Sequence, residues 1–502
     1  MSMTRVFSLP RWLASAVQAP DPHLRTLAVI ALCLGIALPA GAIIGLLGAP
    51  LGLAVIASVV LAYLMLRSIM IGLIVLISVI LLLPFAALPI DIGFSPTLLD
   101  LALGAVFFVW VARVVAHKDR AFSAPVPTMG VLIFVVLAIF SFIAGLGHAP
   151  LTANVLRHLA EILLSILLFV LVVNSVRTPG QLRILVTVLI LAGTVSAAIG
   201  VFLYILPDEL TVRILSVLRV VRYPSGSDVL RYIEDDPSRP LRATSTSVDP
   251  NVLGGALIFI TSMATAQFFE SRPVLSKRQL TIAVCLLLTC MILTFSRGSF
   301  FGLAVACFAL ALLRYPRLIW IGLAVLVAIY LLPFTQDYVA HFISGLRGED
   351  LATQMRLGEY KDAITLISRY PWFGVGFAGT PDVDTYLGVS NVYLLIAENM
   401  GLVGLAAFLA TVLGHLWRGV AALRSPQTRS KVSATTIGLY VAIVGAMAGG
   451  LLDHYLFNLV FPHASSLLWL TMGLGAVSLD MDLSGRTQEM PIRPVLAELF
   501  DD

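Results

Sequence analysis

The sequence predicts an all-α polytopic membrane protein of about 14 transmembrane helices with one large external loop containing amphipathic helix. Three observations predict it. The 502 residues are 59% hydrophobic and only 12% charged, half the charge of an ordinary soluble domain. Apolar runs of spanning length recur from end to end. Lys and Arg collect in alternate connections, as the positive-inside rule requires. A net charge of +4 fits basic cytoplasmic loops and gives no case for nucleic acid. Cys33, Cys285, Cys290 and Cys307 all lie in apolar runs and read as small core residues, not as disulfides or metal ligands.

Residues 1–206 read as a transmembrane scaffold of about seven spans: Leu27–Leu47, Leu51–Leu66, Ile69–Ile90, Thr97–Ala116, Pro127–Leu146, Leu159–Val176 and Leu182–Leu206. The polar, basic stretch before the first span lacks a cleavage signal, so that span is expected to anchor in place. Residues 207–250 form a charged external loop. Residues 251–334 hold spans eight to eleven, Val252–Phe269, Leu280–Phe295, Phe300–Leu313 and Leu318–Phe334. A second large external loop covers 335–390, residues 391–478 hold the last three spans, and 479–502 form a tail.

Orientation follows from the basic residues. Arg67, then Arg113, Lys118 and Arg120, then Arg177 and Arg183, then Arg272, Lys277 and Arg278, then Arg314 and Arg317, and finally Arg418, Arg424, Arg429 and Lys431 mark the cytoplasmic connections. Both termini are then cytoplasmic and both long loops external.

Against that pattern Arg297 stands out, in Ser296-Arg-Gly-Ser299, as a basic residue in a short external turn. A charge at a membrane boundary has two readings, a side chain snorkelling to lipid phosphate or an anion site on the external face. Arg157, at the outer start of the sixth span, has the same two. In the second loop, Arg356, Tyr360, Ala363 and Ile367 recur at helical spacing, ending at Pro371. That segment reads as an amphipathic helix on the bilayer, or as one carrying Arg356 to a lipid diphosphate, which a guanidinium can grip bidentately. Gly374-Val375-Gly376 reads as a flexible turn. Asp249-Pro250-Asn251 reads as a turn into the eighth span, with Asn251 available for hydrogen bonding. Glu398, an ionisable group inside an apolar span, is a candidate base or an arginine partner. Asp453, His454 and Glu161 compete with it for the base role, and His463 is a further candidate.

Taken together, Thr294-Phe-Ser-Arg-Gly-Ser-Phe-Phe-Gly-Leu303, Arg356-Leu-Gly-Glu-Tyr360, Tyr370-Pro-Trp-Phe-Gly-Val-Gly-Phe377, Asn391-Val-Tyr-Leu-Leu-Ile-Ala-Glu-Asn-Met-Gly-Leu-Val-Gly-Leu405 and Arg242-Ala-Thr-Ser-Thr-Ser-Val-Asp-Pro-Asn251 resemble, in order, the O-antigen ligase and polysaccharide polymerase superfamily. The likeness runs from about residue 242 to 475; the first seven spans match in hydropathy alone. It implies a GT-C-like fold and a metal-independent glycosyltransferase, with no cofactor, in the bacterial inner membrane and acting at the periplasmic face. It also implies an undecaprenyl-diphosphate-linked glycan donor, a glycan or lipid-linked acceptor, membrane lipids and polysaccharide-assembly proteins as partners. Arg297 and Arg356 correspond to the family's paired arginines, with Glu398 and His454 as further catalytic candidates. Arg242, Asn251, Tyr360, Asn391 and Arg157 are candidates for substrate binding. The family often has His before the Asn of its H-N-x-Y-L element; here Ser390 stands before Asn391, and His454 is the substitute at the next external turn. A polymerase and an O-antigen ligase share this chemistry. A lipid-linked glycan flippase is the reading from another class, but it should show two similar halves, and here the external charges crowd the second half.

Overall fold

The computed structural model describes residues 15, 21–91, 93–116, 122–125, 127–148, 150–224, 226, 229–331, 340, 343, 347–348, 351–377, 379 and 388–486. The chain divides into two units, one of 1–72 with 492–502 and one of 73–491. The end of the eleventh span and most of the tail expected over 479–502 lie outside the described residues.

In the smaller unit, α1 (Pro22–Leu47) starts where Asp21 accepts the His23 amide and Pro22 takes the first helical position. It is followed by α2 (Ala49–Arg67) and the beginning of α3 (Ile69–Leu82). Helix α1 is apolar beyond Thr26 and none of its apolar window is buried within the protein, as expected of a helix bathed in lipid.

The larger unit continues with α4 (Leu98–Val115), α5 (Pro127–Gly145), α6 (Ala153–Ser175) and α7 (Pro179–Ile205). Capping boxes start two of them, Thr97 with Asp100 in α4 and Thr178 with Gln181 in α7. The charged loop expected over 207–250 is in fact folded. It holds α8 (Asp208–Val217) and a two-stranded antiparallel ladder, β1 (Arg231–Tyr232) with β2 (Leu241–Arg242). Leu215 and Val229 of this segment pack on Leu203 at the end of α7, so its apolar residues have a local core despite the charges around them.

Then come α9 (Pro250–Gln267), α10 (Lys277–Leu293), α11 (Arg297–Leu313), α12 (Arg317–Leu331), α13 (Leu351–Arg369), α14 (Val392–Arg424), α15 (Ala434–Gly449) and α16 (Pro462–Leu483). The last spans are shifted from expectation: α15 stops at Gly449, and α16 starts at Pro462 because Tyr455–Phe457 form a 3-10 turn instead. The helix also runs five residues past the expected end of the last span.

Helix α16 is the centre of the bundle, 94% buried along its apolar window. It abuts α6, where a Cβ on Gly473 would lie 2.9 Å from Val172, and where Ser165 and Ser466 share a 2.7 Å hydrogen bond. Small residues bring α11 equally close to α15: a Cβ on Gly302 would meet the Gly445 carbonyl at 2.6 Å. At one end, Arg418 pairs with Asp480 at 2.7 Å and Asp482 accepts from Ser433 and Thr436. Seven helices among the described residues are long and apolar enough to cross a membrane. Shorter apolar helices, Arg297–Leu313 and Ala434–Gly449 among them, accompany these seven.

Candidate functional site

Helix α14 is not continuous. At Gly401 the backbone has φ 68° and ψ −177°, which separates Val392–Met400 from the long remainder. A break exposes carbonyls that must find donors. The loop after α13 supplies them: Val375 N donates to Glu398 O at 2.8 Å and Gly376 N to Asn399 O at 3.0 Å. In return, Leu402 N donates to Pro371 O at 2.7 Å. The approach is close enough that a Cβ on Gly401 would strike the Trp372 carbonyl, and one on Gly374 the Glu398 carbonyl. Ser141 of α5 completes the joint, donating to Phe373 O at 2.9 Å and lying against Asn399 O. Gly374-Val375-Gly376 is thus a fixed clasp, not the free turn its composition suggested.

The clasp fixes the direction of α13. Tyr360 and Ala363 pack against Leu394 and Leu395 of α14, so the face expected to lie on the bilayer is docked on protein. Met355, Leu357 and Ile364, on the rest of the helix, are exposed.

Around the top of this docked pair, five stretches of chain meet. Ser296 caps α11, so Arg297 occupies the first helical position, and its Nη2 donates to Thr353 Oγ1 at 3.4 Å. Thr353 lies one turn before Arg356 on α13, so Arg297 meets that helix within a turn of Arg356. Arg242 leaves β2 and forks: Nε donates to Thr294 O at 2.8 Å and Nη2 to Asn251 Oδ1 at 2.7 Å. Asn251 follows Asp249, which caps α9 by accepting from the amides of residues 251 and 252. Tyr360 donates to Ser390 O at 3.3 Å and Leu451 O at 3.4 Å. Asn391 caps α14 through Oδ1 and donates from Nδ2 to Leu451 O at 2.9 Å. Ser390 N donates to Glu359 Oε2 at 2.9 Å.

The last stretch is the turn Leu451–His454. Asp453 is buried, and its Oδ1 accepts both the His454 amide at 2.8 Å and His454 Nδ1 at 3.1 Å. Burial opposes ionisation of Asp453, but the hydrogen bond and charge of His454 and the charge of Arg356 hold its carboxyl below the ordinary value. Burial likewise works against the His454 cation; the Asp453 bond and charge, with Asp249 and Glu359, nevertheless raise its pKa. Asp249 is raised by burial and by Asp453. For the Tyr360 phenol, burial outweighs the nearby Arg356 and raises the pKa. Three non-glycine residues beside the cluster, Ser245, Val248 and Phe295, have positive φ of 50°, 61° and 50°. Such strain collects at functional sites, and in the β-branched Val248 it is costly.

Glu398 is 1% exposed, one helical segment below this surface, with Glu359 and Asp362 as electrostatic neighbours. His463 is also buried, edge-on to Phe85 and Phe461. Arg157 belongs to a different cluster: its Nη1 meets Asp100 Oδ2 at 3.1 Å and Glu161 Oε1 at 3.5 Å, and His158 bonds Glu161 at 3.0 Å. From sequence, Asp249 reads only as part of a turn, Thr353 only as one of the residues that can cap the loop helix, and Glu359 has no role of its own. A capping pattern at Asp249-Pro-Asn and the one-turn spacing of Thr353 and Glu359 about Arg356 are the signals that could have found them. Among the described residues no three His, Cys, Asp or Glu side chains gather so as to hold a metal.

The protein is therefore an integral membrane protein, and the charged, hydrogen-bonded cluster around Arg297 and Asp453 lies at the end of an apolar bundle. Residues 282–409 match the family model described as O-antigen ligase, so the resemblance to the O-antigen ligase and polymerase superfamily holds over the segment that carries both Arg297 and Arg356. No curated protein matches the chain.

Proposed function

We propose that the protein is a metal-independent membrane glycosyltransferase that joins undecaprenyl-diphosphate-linked oligosaccharide repeat units into surface polysaccharide at the periplasmic face of the bacterial inner membrane. The coarser statement, a membrane glycan ligase or polymerase, rests on the family match. One observation carries the reading: Arg297 bonds Thr353, a helical turn from Arg356, inside the matched segment. Two guanidiniums carried within a helical turn of one contact could serve a departing diphosphate as charge develops on it.

In the proposed reaction the acceptor hydroxyl oxygen bonds to the donor's anomeric carbon. The bond from that carbon to the diphosphate oxygen breaks, and its electron pair leaves with the diphosphate, held by Arg297 and Arg356. Arg242, Asn251, Tyr360 and Asn391 position the glycan around them. As the base His454 is favoured over Glu398, because 27% of its side chain is open whereas Glu398 is 1% exposed. Arg157, tied to two carboxylates, would act in substrate binding only at the margin of the site. The domain reading stands with it: a scaffold before residue 207, cytoplasmic termini, 14 crossings of a GT-C-like bundle, and both long loops periplasmic.

Transfer of the finished glycan to lipid A-core is the second reading, favoured by the ligase description of the matched family. Reconstitution with an undecaprenyl-diphosphate oligosaccharide separates the two. A ladder without added lipid A-core supports a polymerase; product that requires lipid A-core supports a ligase; no glycosyl transfer with either acceptor overturns the proposal.

A further inference from the structure

The Leu451–His454 turn is mounted with unusual rigidity for a loop between helices. The Leu451 carbonyl takes hydrogen bonds from Asn391 Nδ2 and Tyr360, and the amide of Val392, at the start of α14, donates to Gly450 O at 2.9 Å and Asp453 O at 3.0 Å. On the other side Tyr455, fully buried, fills the place where a side chain on Gly255 of α9 would be. Three elements thus hold the backbone of this turn.

Within that mount the two side chains are unequal. Asp453 is 7% open and both bonds to His454 fall on one oxygen, whereas 27% of the imidazole is open. A buried acid on Nδ1 and an open ring edge is the arrangement that holds an imidazole in a single tautomer. Ser390, where a histidine would precede Asn391, is engaged through its backbone with Glu359 and Tyr360 and offers no imidazole.

We infer that Asp453 is a positioning residue, which keeps the neutral imidazole of His454 protonated on Nδ1 and leaves Nε2 to take the acceptor hydroxyl's proton; this rests on the glycosyl-transfer reading above. The proton moves from the acceptor oxygen to Nε2 as that oxygen bonds to the anomeric carbon, and is then released to water. Charged groups face His454 from three elements: Asp453 on its own turn, Asp249 at the start of α9 and Glu359 on α13, with Arg356 acting on Asp453.

The test is a pair of measurements on the full chain in lipid nanodiscs, wild type against Asp453→Asn. Nitrogen-15 NMR of labelled histidine reads the His454 tautomer without reference to activity. Wild type should be Nδ1-protonated when neutral, and the variant should lose that preference. Finding the Nε2-protonated form in the wild type would overturn the inference, even if the variant failed to fold. The pH profile of sugar transfer is the second readout. Neutral His454 is the active form and Asp453 favours its cation, so the acidic limb should move down by about one pH unit in the variant. The maximal rate should fall by about a hundredfold or more. His454→Gln should remove that limb. A wild-type rate and profile in Asp453→Asn would reduce the pair to a structural ion pair. If the wild type transferred no sugar, the glycosyl-transfer reading would fall on its own account, and the positioning role with it, whatever tautomer the NMR found.

Discussion

Gly401 lies against the backbone of Trp372 with no room for a side chain, and this contact joins the broken helix α14 to the end of α13. Leu402 N to Pro371 O and Val375 N to Glu398 O are the hydrogen bonds on either side of it. Gly401→Ala adds a Cβ where the backbone is left-handed and the neighbour is immovable. It should cost about 3 kcal/mol, combining strain and overpacking. Thermal unfolding in detergent measures the loss, and a variant as stable as wild type would count against the clasp.

Arg297→Ala and Arg356→Ala should each abolish glycan product while the protein still inserts into the membrane. Arg→Lys at either position should also be damaging, because an ammonium does not reproduce the guanidinium fork. The assay is the product ladder from purified protein, and full yield from any of these variants contradicts the assignment.

Arg242 joins Thr294, two residues before the α11 cap, to Asn251 at the head of α9. Arg242→Lys cannot make both bonds. It should lower stability by about 1–3 kcal/mol, in the range for hydrogen bonds involving a charged partner, and slow transfer at least tenfold by loosening the turn that carries Arg297. Asn251→Ala should give a smaller loss of the same kind. Melting temperature and single-turnover rate together check it.

The Asp453–His454 pair makes stability depend on pH in a definite direction. His454 is raised on folding, so its contribution is fully present below the unfolded histidine pKa near 6.5 and is lost as pH rises through the folded value. Asp453 is lowered, so its contribution is present above the unfolded carboxylate pKa near 3.8 and is lost as pH falls through the folded value. The melting-temperature advantage of wild type over His454→Gln should therefore be largest at about pH 5–6 and shrink toward pH 8. An advantage that grows with pH would reverse the sign argued here.

Orientation has its own check. Ser238 is exposed in the folded segment before α9, and Ser430 is exposed between α14 and α15. A membrane-impermeant thiol reagent should label Ser238→Cys in spheroplasts and Ser430→Cys only after permeabilisation. The opposite result would invert the topology.

Much of the bundle was legible because a helix in lipid needs little more than an apolar run and a capped start. Asp249, Thr178 and Ser296 act as caps, though from sequence the first reads only as a turn and the other two carry no capping role. The break at Gly401 was not legible, since glycine is common in membrane helices and Glu398-Asn-Met-Gly-Leu sits inside an unbroken apolar pattern. Its cause is a pairing with residues some thirty positions earlier, which no local period records. For the same reason 207–250 looked like solvated loop: its buried contacts are made with α7 and with the end of α10. Arg297 stands out by charge at a membrane boundary and Arg356 by helical spacing, but the contact of Arg297 with Thr353 depends on how α13 is held.

Ser141 offers a last consequence. It lies in α5, and its hydroxyl touches both the Phe373 and Asn399 carbonyls. A random mutagenesis screen for weakened enzymes should recover substitutions there, and second-site revertants of such alleles should map to the glycine joint and leave the arginines alone.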